Sequence, residues 1–106
     1  MNKLDRDINI YINNQKEQIE LFKFLDNLGY IWNGGSELIE NNSIILEIEC
    51  PRIVYVSIRD KRITHSSTYY ANTHAIHVVP FNNFKKMYML NKEIDFDEYK
   101  KVGEYV

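Results

Sequence analysis

The side chains able to do chemistry in this sequence are few. His65, His74 and His77 are its three imidazoles and Cys50 its one thiol. His74-x-x-His77 would put two rings one turn apart on a helix, and with Asp60 or Cys50 would offer a zinc ion three ligands. That stretch instead reads as a loop running into a strand, and the spacing matches no metal signature, so no metal is expected. The same histidines are candidate general bases. His65 sits between Thr64 and Ser66, and His77 between Ile76 and Val78, neighbourhoods too common to mark a site. No G-x-S-x-G elbow is present, and nothing adjacent activates Cys50. Neither G-x-G-x-x-G nor a Walker motif occurs. The expectation is a protein that is not an enzyme, with no catalytic residue and no cofactor; a small nuclease or hydrolase stands as a third reading.

Two sets of residues point to binding. The stretch 36–50 carries Glu37, Glu40, Glu47 and Glu49 with no Lys or Arg. Glu40, Glu47 and Glu49 are the candidate contacts to a basic protein surface, by charge complementarity. The stretch 51–62 carries Arg52, Arg59, Lys61 and Arg62 against the single acid Asp60. Arg59 and Arg62 with the rings of Trp32, Tyr55, Tyr69 and Tyr70 form the competing set, in which guanidinium meets phosphate and ring meets base. That set would take a small nucleotide, including at a homodimer seam. Bulk charge does not choose, since the net formal charge is −2.

These residues need positioning elements. Asn14 to Leu28 reads as the main helix, with Ile19, Phe22, Leu25 and Leu28 recurring every third residue and Leu21 adding i+4 and i+7 matches. Asn14 with Glu17 fits a capping box, and Gly29 fits the C-terminal stop. Lys16, Glu20, Lys23 and Asn27 form the solvated face, with Glu20 pairing to Lys16 or Lys23. Ile8, Ile10 and Ile12 alternate as a strand with one buried face. Asn33-Gly34-Gly35-Ser36 is the strongest turn signal, and its paired glycines also fit a ligand-contact loop. Ile53 to Ile58 is apolar on both faces and reads as a central strand, joined by Arg59–Arg62 to a returning strand. Ser67 to His74 reads as a polar aromatic loop. A helix over 84–90, capped by Asn82 or Asn83, follows Pro80, with a further short turn at 95–98.

The expected fold is α+β: a mixed or antiparallel sheet of 8–12, 44–48, 53–58, 62–66 and 75–79, the main helix across one face, and a short C-terminal helix. With 106 residues the chain fits one domain, long enough to bury a core without staples. Eight Tyr, five Phe and one Trp suit either a core with tyrosine margins or an aromatic recognition surface. A lone cysteine suits a reducing compartment. No stretch is long and apolar enough to cross a membrane, and the N-terminus lacks a secretory apolar run, so a cytoplasmic location is expected.

Leu25 to Gly35, followed by Ile53-Val54-Tyr55-Val56 and Arg62-Ile63-Thr64-His65-Ser66, resembles small proteins of phages and prophages of Gram-positive bacteria. These share a helix ending in leucine-glycine-aromatic-x-tryptophan, then a glycine turn and a hairpin. The likeness spans about residues 8 to 79, and the doubled Gly34-Gly35 departs from the commoner single glycine. It implies a compact α+β fold and a phage context, without assigning a site. In that context the expected function is to occupy a host protein surface, as a counter-defence inhibitor, or to sequester a small nucleotide signal.

Overall fold

The computed structural model describes residues 4–40, 43–44 and 48–89. The turn expected at 95–98 lies outside the described residues. A five-stranded mixed sheet carries the fold. β1 (Ile8–Ile12), β5 (Arg52–Ser57) and β6 (Arg62–Ser67) form an antiparallel centre. The short edges β2 (Ile31–Trp32) and β7 (Val79–Pro80) join in parallel, on β6 and β1 respectively. The expected α+β class holds, with β5 central as its two apolar faces require.

Helix α1 (Gln15–Asn27) begins and ends by local chemistry. Asn14 Oδ1 accepts the Glu17 N–H at 2.9 Å. Glu17 Oε1 reaches back to the Asn13 N–H at 2.8 Å, one residue earlier than a standard capping box. At the other end the Gly29 N–H bonds to the Asp26 carbonyl and the Tyr30 N–H to the Leu25 carbonyl. This is a Schellman stop, and Gly29 supplies its left-handed residue at φ +92°. Lys61 Nζ adds a donor to the Leu28 carbonyl at 3.1 Å, a cation at the negative end of the helix.

The buried helix face is Gln18, Leu21, Phe22 and Leu25. Ile19, expected in the stripe, is 41% exposed. The i, i+3, i+4, i+7 set is satisfied from Gln18 onward, so a polar residue holds the position that hydropathy gave to isoleucine. Phe22 meets the edge of Trp32 at 5.4 Å between ring centres, and Phe24 meets Phe84 at 5.8 Å. Glu20 pairs with Lys85 at 2.7 Å, across the fold instead of with Lys16 or Lys23.

Several expected elements differ. The 44–48 strand does not enter the main sheet: β4 (Ser43–Ile44) pairs with β3 (Ile39–Glu40) in a separate ribbon, and residues 45–47 lie outside the described residues. Leu38 and Ile48 tie this excursion to the core. The 75–79 strand shrinks to β7, because Ala75 turns the chain with φ +54°, and Pro80 pairs within the edge strand instead of stopping it. Ser67 to His74 is a helix, not a loop: α2 (Thr68–Thr73), with Ser67 Oγ accepting the Tyr70 N–H at 3.0 Å. The last helix starts earlier than expected, as α3 (Phe81–Phe84) after Pro80, and runs into a π turn at Lys85–Met89. Starting at Phe81 buries Phe81, Phe84 and Tyr88 together.

β1 is buried on both faces, not one. Ile8, Ile10 and Ile12 join the main core under α1, whereas Tyr11 joins a smaller cluster with Ile53, Ala71 and Val78. That second cluster places α2 and the 75–78 segment on the sheet face opposite α1. Among the described residues they cover only part of it, which leaves the candidate site.

Candidate binding face

The register decides what the uncovered part of the sheet displays. Tyr55 pairs with Asn9 on one side and Thr64 on the other, so the three side chains share a face. Ser57 and Arg62 form the next pair toward the hairpin tip, and Ser66 lies beside Ile53 toward α2. The row is polar and aromatic, between the α2 tyrosines and the arginine-bearing tip.

Three shallow hollows run together here. The first, about 440 Å³, lies among Tyr55, Ser57, Arg59, Arg62 and Thr64. The second, about 770 Å³, continues past Tyr55 and Thr64 to Ser66, Tyr70 and Arg52. The third, about 550 Å³, turns around the sheet edge at Thr64 and His65 to Trp32 and the Asn33–Ser36 turn. Thr64 borders all three.

Tyr55 is held in place by Asp7. Its hydroxyl donates to Asp7 Oδ2 at 3.1 Å, while Asp7 Oδ1 accepts the Ile58 N–H at 2.9 Å. Partial burial, then this carboxylate, raise the Tyr55 pKa, so the phenol stays protonated and donating. Arg62 Nη1 donates to the Trp32 carbonyl at 3.3 Å, bracing the hairpin against the Gly34-Gly35 turn. That turn closes with Gly35 N–H to the Trp32 carbonyl at 2.8 Å, with Gly35 at φ +99°. A Cβ at Gly34 would meet open space, so among the described residues nothing packs against it.

His65 is bound to arginine. Arg52 Nη2 lies 2.7 Å from His65 Nδ1. A guanidinium only donates, so Nδ1 accepts and the ring proton sits on Nε2. Burial, then the Arg52 charge, lower the His65 pKa below its ordinary value. Burial also pushes the Cys50 thiol up, away from a reactive thiolate. His74 stacks on Tyr70 at 4.0 Å between ring centres, and His77 is exposed. Among the described residues no cluster of three or more His, Cys, Asp or Glu could hold a metal.

The nucleotide set is partly assembled. Tyr55, Arg59 and Arg62 surround the first hollow, and Tyr70, 47% exposed, borders the second. Tyr69, 76% exposed, lines none of these three hollows. Trp32 is only 7% exposed and belongs to the core, reaching the third hollow at its margin. Arg59 pairs loosely with Asp60 at 3.7 Å, and Asp7 and Asp60 offset the charge of the two arginines. Of the acidic set, Glu49 is exposed, as is Glu37. Glu40 lies in β3, with its side chain outside the description, and Glu47 lies outside the described residues.

Asp7, Asn33 and Thr64 are the site residues that composition does not mark, and Arg52 stands out in sequence only as part of the basic stretch. Strand register is the signal that finds Thr64, because it faces Tyr55 once the hairpin is set. Asp7 and Asn33 come from contacts distant in sequence.

No protein-family model matches the chain, and neither a curated protein nor a solved structure matches it significantly. The described helices include none long and apolar enough to cross a membrane.

Proposed function

We propose that this is a non-enzymatic binding protein of phage context that acts by covering a host protein surface as a counter-defence inhibitor. The observation that carries this reading is the half-covered sheet face, where Tyr, Arg, Asn, Ser and Thr surround hollows that run together. Those residue types dominate recognition surfaces because Tyr and Arg give wide contact with few freedoms lost. The hollows are shallow, and in the one that holds Arg59 and Arg62 the charge is balanced by Asp7 and Asp60, which suits a protein surface better than an isolated phosphate. Glu37 adjoins Ser36 at the third hollow, and Glu49 is also exposed; both would meet a basic rim on the partner. The protein would act in the host cytoplasm.

A second reading, sequestration of a small nucleotide, is favoured by one observation: Tyr55, Arg59 and Arg62 surround a single hollow. Charge reversal separates the two. Arg59→Glu with Arg62→Glu should abolish binding of a nucleotide and leave a protein partner attached through Tyr55 and Tyr70. Glu37→Lys with Glu49→Lys should weaken a basic partner and spare a nucleotide. Retention of a stoichiometric nucleotide and no protein would overturn the first reading.

A further inference from the structure

Among the described residues the β6 edge of the main sheet is left unfinished. β6 spans six residues, but β2 pairs only with Arg62 and Ile63. Ile31 N–H bonds to the Lys61 carbonyl and Asn33 N–H to the Ile63 carbonyl. The backbone groups of Lys61 and Ile63 therefore face outward, and by the two-residue period so do those of His65. Beyond Asn33 the chain leaves through the glycine turn, so the His65 N–H and carbonyl have no strand opposite them among the described residues. The other edge is also short, with β7 opposite only Ile10 and Tyr11, but there the edge strand ends in Pro80, which has no N–H, and passes directly into α3.

Two buried donors flank this edge without acceptors. Trp32 Nε1 is fully buried and has no hydrogen-bond partner among the described residues, and neither has Arg52 Nε. Both side chains touch His65, Trp32 edge-on at 5.6 Å between ring centres and Arg52 through its other nitrogen at 2.7 Å. A buried donor left unpaired costs about 1–3 kcal/mol, which an acceptor would recover once strand addition displaces the side chains that cover it. The hollows on either side of His65 are those of about 550 and 770 Å³, and no carboxylate is among their described lining residues. They are therefore donor-rich, unlike the charge-balanced hollow at the hairpin tip.

We propose that this edge takes an extended segment of a partner protein as an added strand beside His65, with an Asp, Glu or Asn side chain accepting from Trp32 or Arg52. The main-chain bonds of the added strand supply affinity, and the paired hollows receive its alternating side chains. The unmet donors and the absence of an opposing acid select the acceptor-bearing segment. This deepens the protein-binding reading above and rests on it.

The test pans displayed random short peptides against the full chain and measures the enriched peptides on variants. Trp32→Phe removes the indole donor and keeps the ring. His65→Pro removes an outward N–H, leaving the pairing of Thr64 and Ser66 with β5 in place. Thermal melting confirms that each variant is folded. Enriched peptides should carry Asp, Glu or Asn among β-forming residues. Their binding should weaken about tenfold on His65→Pro and about threefold to tenfold on Trp32→Phe, and vanish when alternate peptide amides are methylated. Three results would overturn the inference. One is no enrichment. Another is enriched peptides insensitive to both variants but lost on Tyr55→Ala, which would leave the binding face standing without its edge. The third is a homodimer dispersed by His65→Pro, which would give the edge to a second copy.

Discussion

Phe22 and Ile19 lie on the same helix, three residues apart, and hydropathy gives them equal standing. The structure separates them. Phe22 has no exposed surface and contacts the Trp32 ring edge-on at 5.4 Å, whereas Ile19 is largely in solvent. Replacing a buried phenylalanine by alanine removes its burial and leaves a cavity, a loss of about 3–5 kcal/mol. The edge-on aromatic pair, about 0.5–1.5 kcal/mol beyond burial, places Phe22→Ala toward the upper part of that range. Ile19→Ala loses only partial burial and gains about 0.4 kcal/mol or more in helix propensity, for a net cost below about 1 kcal/mol. Urea unfolding followed by Trp32 fluorescence reads both, provided the slope of the transition is unchanged. A domain with about 5–15 kcal/mol of stability survives Ile19→Ala throughout that range and Phe22→Ala above its lower end. Equal costs for the two variants, or a larger cost for Ile19→Ala, would refute the assigned helix face.

Gly35→Ala should cost about 1 kcal/mol because Gly35 sits at positive φ, while Gly34→Ala, in open space, should be close to neutral; paired melting curves check this. Asn14→Ala should lose about 1 kcal/mol through the vacated Glu17 N–H, measured by urea unfolding. His65 has a lowered folded pKa, so below its ordinary value of 6.5 the unfolded chain takes up a proton that the folded chain refuses. Its share of stability is present above about pH 6.5 and is lost as pH falls through the lower folded pKa. His65→Asn should flatten that part of the stability–pH curve.

Much of the architecture is legible in local signals. Asn14, Glu17 and Gly29 bracket α1 because caps are decided within a few residues. The double apolar face of Ile53–Ser57 marks the central strand because both faces must be covered. What escapes is decided at a distance. Gln18 displaces Ile19 from the core through the packing of α1 on the sheet, which hydropathy alone does not encode. Ser67 caps a helix whose only buried residue is Ala71, too small a stripe to show periodicity. Among the site residues, Tyr55, Arg59 and Arg62 converge because the hairpin is local. Trp32 is withdrawn into the core by Phe22, and Asp7 is brought to Tyr55 by the β1–β5 register.

The central claim is that this chain binds a protein through the open sheet face. Native mass spectrometry of the protein recovered from phage-infected cells, with ligands and partners retained, tests it most directly. The wild-type chain is compared with the double variant Tyr55→Ala, Tyr70→Ala and with Glu49→Lys. A stoichiometric protein partner is expected on the wild type, lost from the tyrosine variant and weakened on Glu49→Lys. A partner that stays fully bound to the tyrosine variant, or a bound nucleotide with no protein, would contradict it.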